Sequence, residues 1–149
     1  MNTVVEHNPI WLTKFVNVYE NLATDNLDLL LDLYHQDIYF QDPLHELKGL
    51  SQLTEYFDGL YENLITCQFN IHSAVCDGTQ ASLYWTMTFE HPKLAKGVPV
   101  EVDGNSLIKG NADKVTYHRD YYDVGAMLYE QLPLLGRVIR HIKTRAAQS

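Results

Sequence analysis

The hydrophobic period of this chain changes once, between Leu64 and Ile65, and that change limits the fold more than any single motif. Upstream, apolar residues recur every three or four positions. Trp11, Phe15, Val18 and Leu22 form one stripe, and Leu50, Leu53, Phe57, Leu60 and Leu64 form another. Such spacing puts each set on one face of a helix. Downstream, apolar residues recur every second position, in Ile65, Cys67, Phe69, Ile71 and Val75 and then in Ala81, Leu83, Trp85, Met87 and Phe89. That pattern makes a strand with one buried face. Helices followed by long strands on short turns point to an α+β layout: an antiparallel sheet with helices packed on one face.

Local signals set the element ends. Asn8 reads as the N-cap of the first helix, with Pro9 at its first position. Thr24-Asp25-Asn26 breaks that helix and caps a second one bearing Leu27, Leu30, Leu31 and Tyr34. A brief strand, Ile38 to Gln41, stops at Asp42-Pro43, and Gly49 precedes the third helix. Asp77-Gly78 marks a hairpin turn, and His91 to Gly97 is a loop. Val98, Val100 and Val102 alternate, Leu107 falls out of step, and Gly104 between them predicts a β-bulge. Gly110 to Asp113 turns the chain into a last strand, Lys114 to Tyr122. Asp123 caps a short helix, Val124 to Leu132, which Pro133 ends. A long bulged sheet curves. Wrapped by the N-terminal helices, it makes a cone with an apolar mouth, a natural seat for a small molecule.

The 149 residues and 17.2 kDa suit one domain, residues 1–149, large enough to bury its own core. Eleven Lys and Arg against 19 Asp and Glu give a formal charge of -8, which argues against nucleic acid as a partner. No apolar run nears the roughly 20 residues of a membrane span. The first eleven residues lack the basic and apolar regions of a leader, so the reading is cytoplasmic. Cys67 and Cys76 lie on one strand, about 30 Å apart when extended. Their opposite parity puts them on opposite faces, and they read as free thiols. Among seven His and two Cys no CxxC, HExxH or EF-hand spacing occurs, so no metal and no cofactor is expected.

The layout resembles the cone-shaped α+β superfamily named after nuclear transport factor two, and specifically its SnoaL-like members, over nearly the whole chain. Three stretches carry the likeness. Tyr39-Phe40-Gln41-Asp42-Pro43 is similar to the Glu-Asp-Pro stretch of the bacterial ketosteroid isomerases, whose aspartate shuttles a proton. Thr86-Met87-Thr88-Phe89-Glu90 is similar to a pocket-lining strand of the same enzymes. Arg119-Asp120-Tyr121-Tyr122-Asp123 resembles a run of the limonene epoxide hydrolases in which the first aspartate activates water. His118 to Asp123, continued by residues 129–136, also resembles a bacterial subgroup of SnoaL-like proteins. The likeness implies the cone fold and a pocket, but neither enzyme's full residue set. Val18 falls where the isomerase has its oxyanion-binding tyrosine, with Tyr19 beside it, and Asn105 falls near its second donor. Phe40 and Asp42 fall where the hydrolase holds its attacking water. Its Arg-x-Asp pair has no counterpart in Ala81 to Phe89.

On the last strand, parity puts His118, Asp120 and Tyr122 on one face and Arg119, Tyr121 and Asp123 on the other. With the first face toward the cone, Asp120 meets a wall of Trp85, Met87 and Phe89. A carboxylate beside an imidazole in a dry cleft suits proton transfer. The alternative is that Asp120 satisfies a buried tyrosine or backbone amide. The candidate catalytic residues are therefore Asp120, His118 as its partner, and Asp42 as a second carboxylate. Asp42 reads equally as a turn opener. The candidate ligand contacts are Trp85, Met87, Phe89, Tyr122, Phe40, Val18, Phe57 and Asn105, the last also readable as a bulge residue. The expected ligand is a small apolar or carbonyl-containing molecule. It would be isomerised, cyclised or hydrated without a cofactor, or bound without turnover. A partner-recruiting module with an exposed groove is the third reading.

Residues 137–149 carry Arg137, Arg140, Lys143 and Arg145 and no acid, with Val138, Ile139 and Ile142 as an apolar edge. A docked C-terminal helix at about 136–147 is the reading, and contact with an anionic membrane surface is the alternative. The outer strand face carries Tyr84, Thr86, Thr88, Arg119 and Tyr121. Aromatics and arginine are what interface cores favour, which predicts a homodimer packed sheet to sheet.

Overall fold

A computed structural model describes residues 8–149, so the reading of the leading residues 1–7 lies outside the described residues. Helices α1 (Ile10–Asn21) and α2 (Asp28–Leu33) precede strand β1 (Tyr34–Gln41) and the short β2 (Glu46–Lys48). Helix α3 (Leu50–Glu62) leads into β3 (Thr66–Cys76), β4 (Gln80–Glu90), β5 (Val100–Asn111) and β6 (Lys114–Tyr122). Helix α4 (Val124–Met127), a single 3-10 turn and α5 (Pro133–Ala147) close the chain. The six strands form one curved, unclosed sheet in the order β2-β1-β6-β5-β4-β3. Helix α1 packs across β3, β5 and β6, and α3 packs against β1 and β2.

The core follows the two periods. Helix α1 buries Trp11, Leu12, Phe15, Val18 and Tyr19, and β4 buries Ala81, Leu83, Trp85 and Phe89 on its inner face. Full burial of side chains this size contributes about 1.5–3 kcal/mol each. On α3 the buried stripe is Leu53, Phe57 and Tyr61, whereas Leu60 is 42% exposed.

Strand β1 pairs with β6 in parallel, while every other neighbouring pair is antiparallel. The sheet is thus mixed, not antiparallel throughout as expected. Two strands from opposite ends of a chain carry no trace of their mutual direction in their own alternation. The consequence reaches the site. Phe40 pairs with His118 and Gln41 with Arg119. The next residues, Asp42 just past β1 and Asp120 within β6, therefore stand side by side near the same end of the sheet.

No bulge occurs at Gly104. Strands β4 and β5 keep unbroken register from Gln80 opposite Lys109 to Phe89 opposite Val100, and Leu107 is out of step because it faces outward. Gly104 is required for close approach: a Cβ there would stand 2.2 Å from the Trp85 ring. Pairing slips by one residue instead at His72 of β3 and Thr116 of β6. The slip at His72 resets the parity of β3. Cys76 then pairs with inward-facing Ala81, so both cysteines face inward rather than to opposite sides, and both are free thiols.

The remaining departures are at element ends. Pro9, not Asn8, occupies the N-cap of α1. Asn26 ties back to α1 instead of capping α2, accepting from the Ala23 amide and donating to the Asn21 carbonyl. Tyr34 opens β1, and the stretch 124–132 divides into α4 and the 3-10 turn. Pro133 begins α5 rather than merely ending its predecessor. Of the apolar edge of α5, Ile139 is half-buried while Val138 and Ile142 are exposed. Polar contacts also fix the helix, with Arg140 donating to the Glu130 carbonyl and Lys143 paired with Asp123 and Glu130. No helix among the described residues is long and apolar enough to cross a membrane.

Candidate functional site

Beneath the inner face of the sheet lies a cavity of about 270 Å³. Its wall is assembled from every layer of the fold: Tyr19 of α1, Phe40 of β1, Phe57, Leu60 and Tyr61 of α3, Cys67 and Phe69 of β3, and Trp85, Met87 and Phe89 of β4. Two carboxylates enter this apolar space, Asp120 near the end of β6 and Asp42 just past the end of β1. Leu44, His45, Leu94, Met127 and Leu128 complete the lining together with Tyr56, Leu64, His91 and Tyr122.

Asp120 ends a buried hydrogen-bond chain. Its Oδ1 accepts from the Ser106 hydroxyl and lies 2.6 Å from His118 Nε2. Trp85 Nε1–H donates to Ser106 Oγ at 2.8 Å. On the far side, His118 Nδ1 lies 2.7 Å from the Tyr34 hydroxyl, which in turn bonds Tyr19. The two ends of this hydrogen-bond chain have fixed roles, and the histidine tautomer sets the direction between them. An indole N–H can only donate, and an ionised carboxylate can only accept. With a neutral imidazole protonated on Nε2, Tyr19 donates to Tyr34, Tyr34 to His118, and His118 to Asp120. Every bond then runs toward Oδ1. Among the described residues Oδ2 has no hydrogen-bond partner. His118 is only 1% exposed, enclosed by the rings of Phe15, Tyr19, Tyr34 and Phe40. It does not line the cavity itself but stands behind Asp120.

Asp42 has the opposite arrangement. Oδ1 accepts from the amides of Leu44 and His45, closing the turn that Pro43 begins, and Oδ2 accepts from the Tyr56 hydroxyl at 2.6 Å. The His45 ring lies 3.0 Å from Oδ1, and the Asp42 side chain is 2% exposed. An Asx turn of this kind is what an aspartate before proline favours locally. Here it also pins the rim of the cavity to α3.

Phe40, Phe57, Trp85, Met87, Phe89 and Tyr122 all line the cavity. Val18 does not. It is buried in the core, because one step along a helix turns the side chain by about 100°, and Tyr19 takes the cavity-facing place. Asn105 does not either. It lies on the outer face, where Nδ2 donates to Ser82 Oγ and the Leu83 carbonyl. Sequence reasoning passed over Ser106. A serine in step with inward Val100 and Val102 was its signal, and the bulge expected at Gly104 concealed that parity.

The site's phenols stay protonated. Burial raises Tyr19, Tyr56 and Tyr122 above the ordinary phenol range. The Asp120 charge adds to this at Tyr19, the bond to Asp42 at Tyr56, and the charges of Asp42 and then Asp120 at Tyr122. They are donors rather than bases. Burial likewise pushes the Cys67 thiol up to about 11. Among the described residues no three His, Cys, Asp or Glu side chains converge as a metal shell requires.

The profile of the SnoaL-like domain matches residues 15–118, ending two residues before Asp120. No curated protein matches the chain by sequence. Solved structures share the fold. One is a Catenulispora acidiphila protein described as having a ketosteroid isomerase-like fold, in complex with trimethylamine; it has 17% identity and a TM-score of 0.71 over 85% of this chain and 96% of that one. A protein of Shewanella denitrificans described as a SnoaL-like polyketide cyclase has 17% identity and a TM-score of 0.69, over 80% and 95%. Another so described, from Jannaschia, has 12% identity and a TM-score of 0.68, over 80% and 89%.

Proposed function

The chain belongs to the SnoaL-like domain family, and on that premise we propose that its cavity binds a small, mostly apolar carbonyl compound from which Asp120 takes a carbon-bound proton, without a cofactor. The observation that carries this reading is the asymmetry of Asp120. One oxygen is held by His118 and Ser106, and the other is unpartnered among the described residues, at the wall of an apolar cavity. Oδ2 takes the proton from the carbon beside the carbonyl. The electron pair of the broken C–H bond moves onto the carbonyl oxygen, and the Tyr122 hydroxyl meets the charge that develops there. Return of the proton to a different carbon gives an isomer; attack of the enolate carbon on a second carbonyl closes a ring, the π pair of that carbonyl moving to its oxygen, which takes the proton back from Asp120. His118 and Ser106 are positioning residues, and Asp42 holds the rim.

The test is hydrogen–deuterium exchange beside the carbonyl of 2-tetralone in D₂O, followed by NMR. The wild type accelerates exchange, and Asp120→Asn lowers that acceleration by about 10²-fold or more, the scale of a positioned base. Equal acceleration by the two proteins overturns the assignment of the base.

For assembly, we propose a homodimer packed through the outer face of the sheet. Tyr84 and Tyr121 are about half exposed there, and the Arg119 guanidinium lies 4.6 Å from the Tyr121 ring centre while donating to Gln41. Sedimentation decides it: a monomer, or a dimer that survives Tyr121→Glu unchanged, counts against this face.

A further inference from the structure

We infer that the molecule accepted by this cavity brings its own positive charge, an ammonium or iminium nitrogen near its carbonyl. The inference rests on the reading that a small apolar ligand sits against Asp120, and it adds the charge that the preferred ligand carries, neutral ketones being the poorer substrates. Asp42 and Asp120 both line the cavity, and no Lys or Arg does among the described residues. The other titratable groups of the wall are its tyrosines, Cys67, His45 and His91. The imidazole of His118 stands behind Asp120. The nearest arginine along β6, Arg119, faces outward onto Tyr121 and Gln41.

An uncompensated anion in an apolar space is costly. Proton transfer from a neutral ketone neutralises Asp120 and moves its charge onto the enolate, which then shares the wall with Asp42, phenols and two imidazoles but no Lys or Arg among the described residues. A positively charged nitrogen on the ligand removes that cost. It also acidifies the neighbouring C–H bond, so less is asked of Asp120. The wall suits a cation in a second, independent way: Tyr19, Phe69, Trp85 and Phe89 present aromatic rings, whose faces attract ammonium groups. The formal charge of -8 draws cations toward the protein and repels anions. As to size, an apolar cavity of about 150 Å³ takes benzene, so 270 Å³ accommodates roughly ten non-hydrogen atoms.

Phenyltrimethylammonium and tert-butylbenzene are isosteres of about that size, one charged and one neutral. Their binding is compared by ligand-detected NMR and by the fluorescence of the protein's tryptophans. The expected result is binding of the cation by the wild type at least about tenfold tighter than the hydrocarbon, a ratio that falls several-fold in Asp120→Asn, where Asp42 and the aromatic rings remain. The amide Oδ1 of that variant keeps the bonds from Ser106 and His118, and retained tert-butylbenzene binding shows that its cavity is intact. Equal or tighter binding of the hydrocarbon by the wild type overturns the charge inference and leaves the pocket reading standing. An unchanged ratio in Asp120→Asn does the same. If neither probe binds the wild type, the pocket reading and this inference fall together.

Discussion

Asp120 on β6 and Asp42 just past the end of the parallel neighbour β1 stand side by side, and both face the same cavity, yet their surroundings differ in kind. Asp42 is held by its own turn: two of its donors are the amides two and three residues on, and the third is Tyr56 on the adjoining helix. Asp120 is held by side chains from elsewhere in the chain, Ser106 on β5 and His118 beside it, with Trp85, Tyr34 and Tyr19 behind them. The first carboxylate has partners on both oxygens, the second on one. A fully partnered acid fixes structure. An acid with one oxygen free has capacity left for a ligand, and the network behind it keeps that oxygen aimed.

Alkali makes the largest test, because it strikes the phenols of both regions. Tyr19, Tyr34, Tyr56 and Tyr61 all have their pKa raised by burial in the folded protein. A raised folded value means that the stabilisation is fully present below the unfolded value, near 10, and is lost as pH climbs above it. Four such groups remove about 5 kcal/mol per pH unit, so an ordinary stability of about 5–15 kcal/mol is exhausted between about pH 11 and 13. Absorbance at 295 nm is expected to show these phenols ionising together with unfolding. Gradual ionisation of all tyrosines in the folded state contradicts their burial.

His118→Ala comes next, with an expected loss of about 3–5 kcal/mol in denaturant unfolding. It leaves the Tyr19–Tyr34 pair one acceptor short and Asp120 held by Ser106 alone. Asp42→Ala is expected to cost about 2–3 kcal/mol, since it strips partners from Tyr56 and from two turn amides. Hydrogen exchange at the Leu44 and His45 amides should accelerate in that variant while the β6 amides stay protected. A loss below about 0.5 kcal/mol would remove the rim role assigned to Asp42. Gly104→Ala is expected to cost about 1–3 kcal/mol by pushing the Trp85 ring off its seat, with a shift in tryptophan emission as the Ser106 bond breaks. Asp120→Asn has the smallest effect on stability, under about 1 kcal/mol, because the amide oxygen accepts the same two bonds. If Asp120→Asn destabilises more than Asp42→Ala does, the contrast between the two acids is reversed.

The sequence by itself determined the class of fold, most of the apolar wall and the inward parity of His118, Asp120 and Tyr122. Period and parity are local: they need only a residue's neighbours along the chain. Trp85, Met87 and Phe89 were legible for that reason, and so was the aspartate before Pro43. What the sequence did not carry is which distant elements touch. The parallel pairing of β1 with β6, which sets the two acids at one end, depends on strands some eighty residues apart. A bulge expected at Gly104 hid Ser106 and misplaced Asn105. The bulge found at His72 turned Cys76 inward, because one inserted residue inverts every later side chain on a strand. Val18 and Tyr19 differ by a single step on α1, and only packing against the sheet decided that the tyrosine reaches the cavity. The open oxygen of Asp120 is likewise a tertiary fact. Both acids are aspartates near strand ends, and the difference between them is how many donors the fold brings within hydrogen-bonding distance of each.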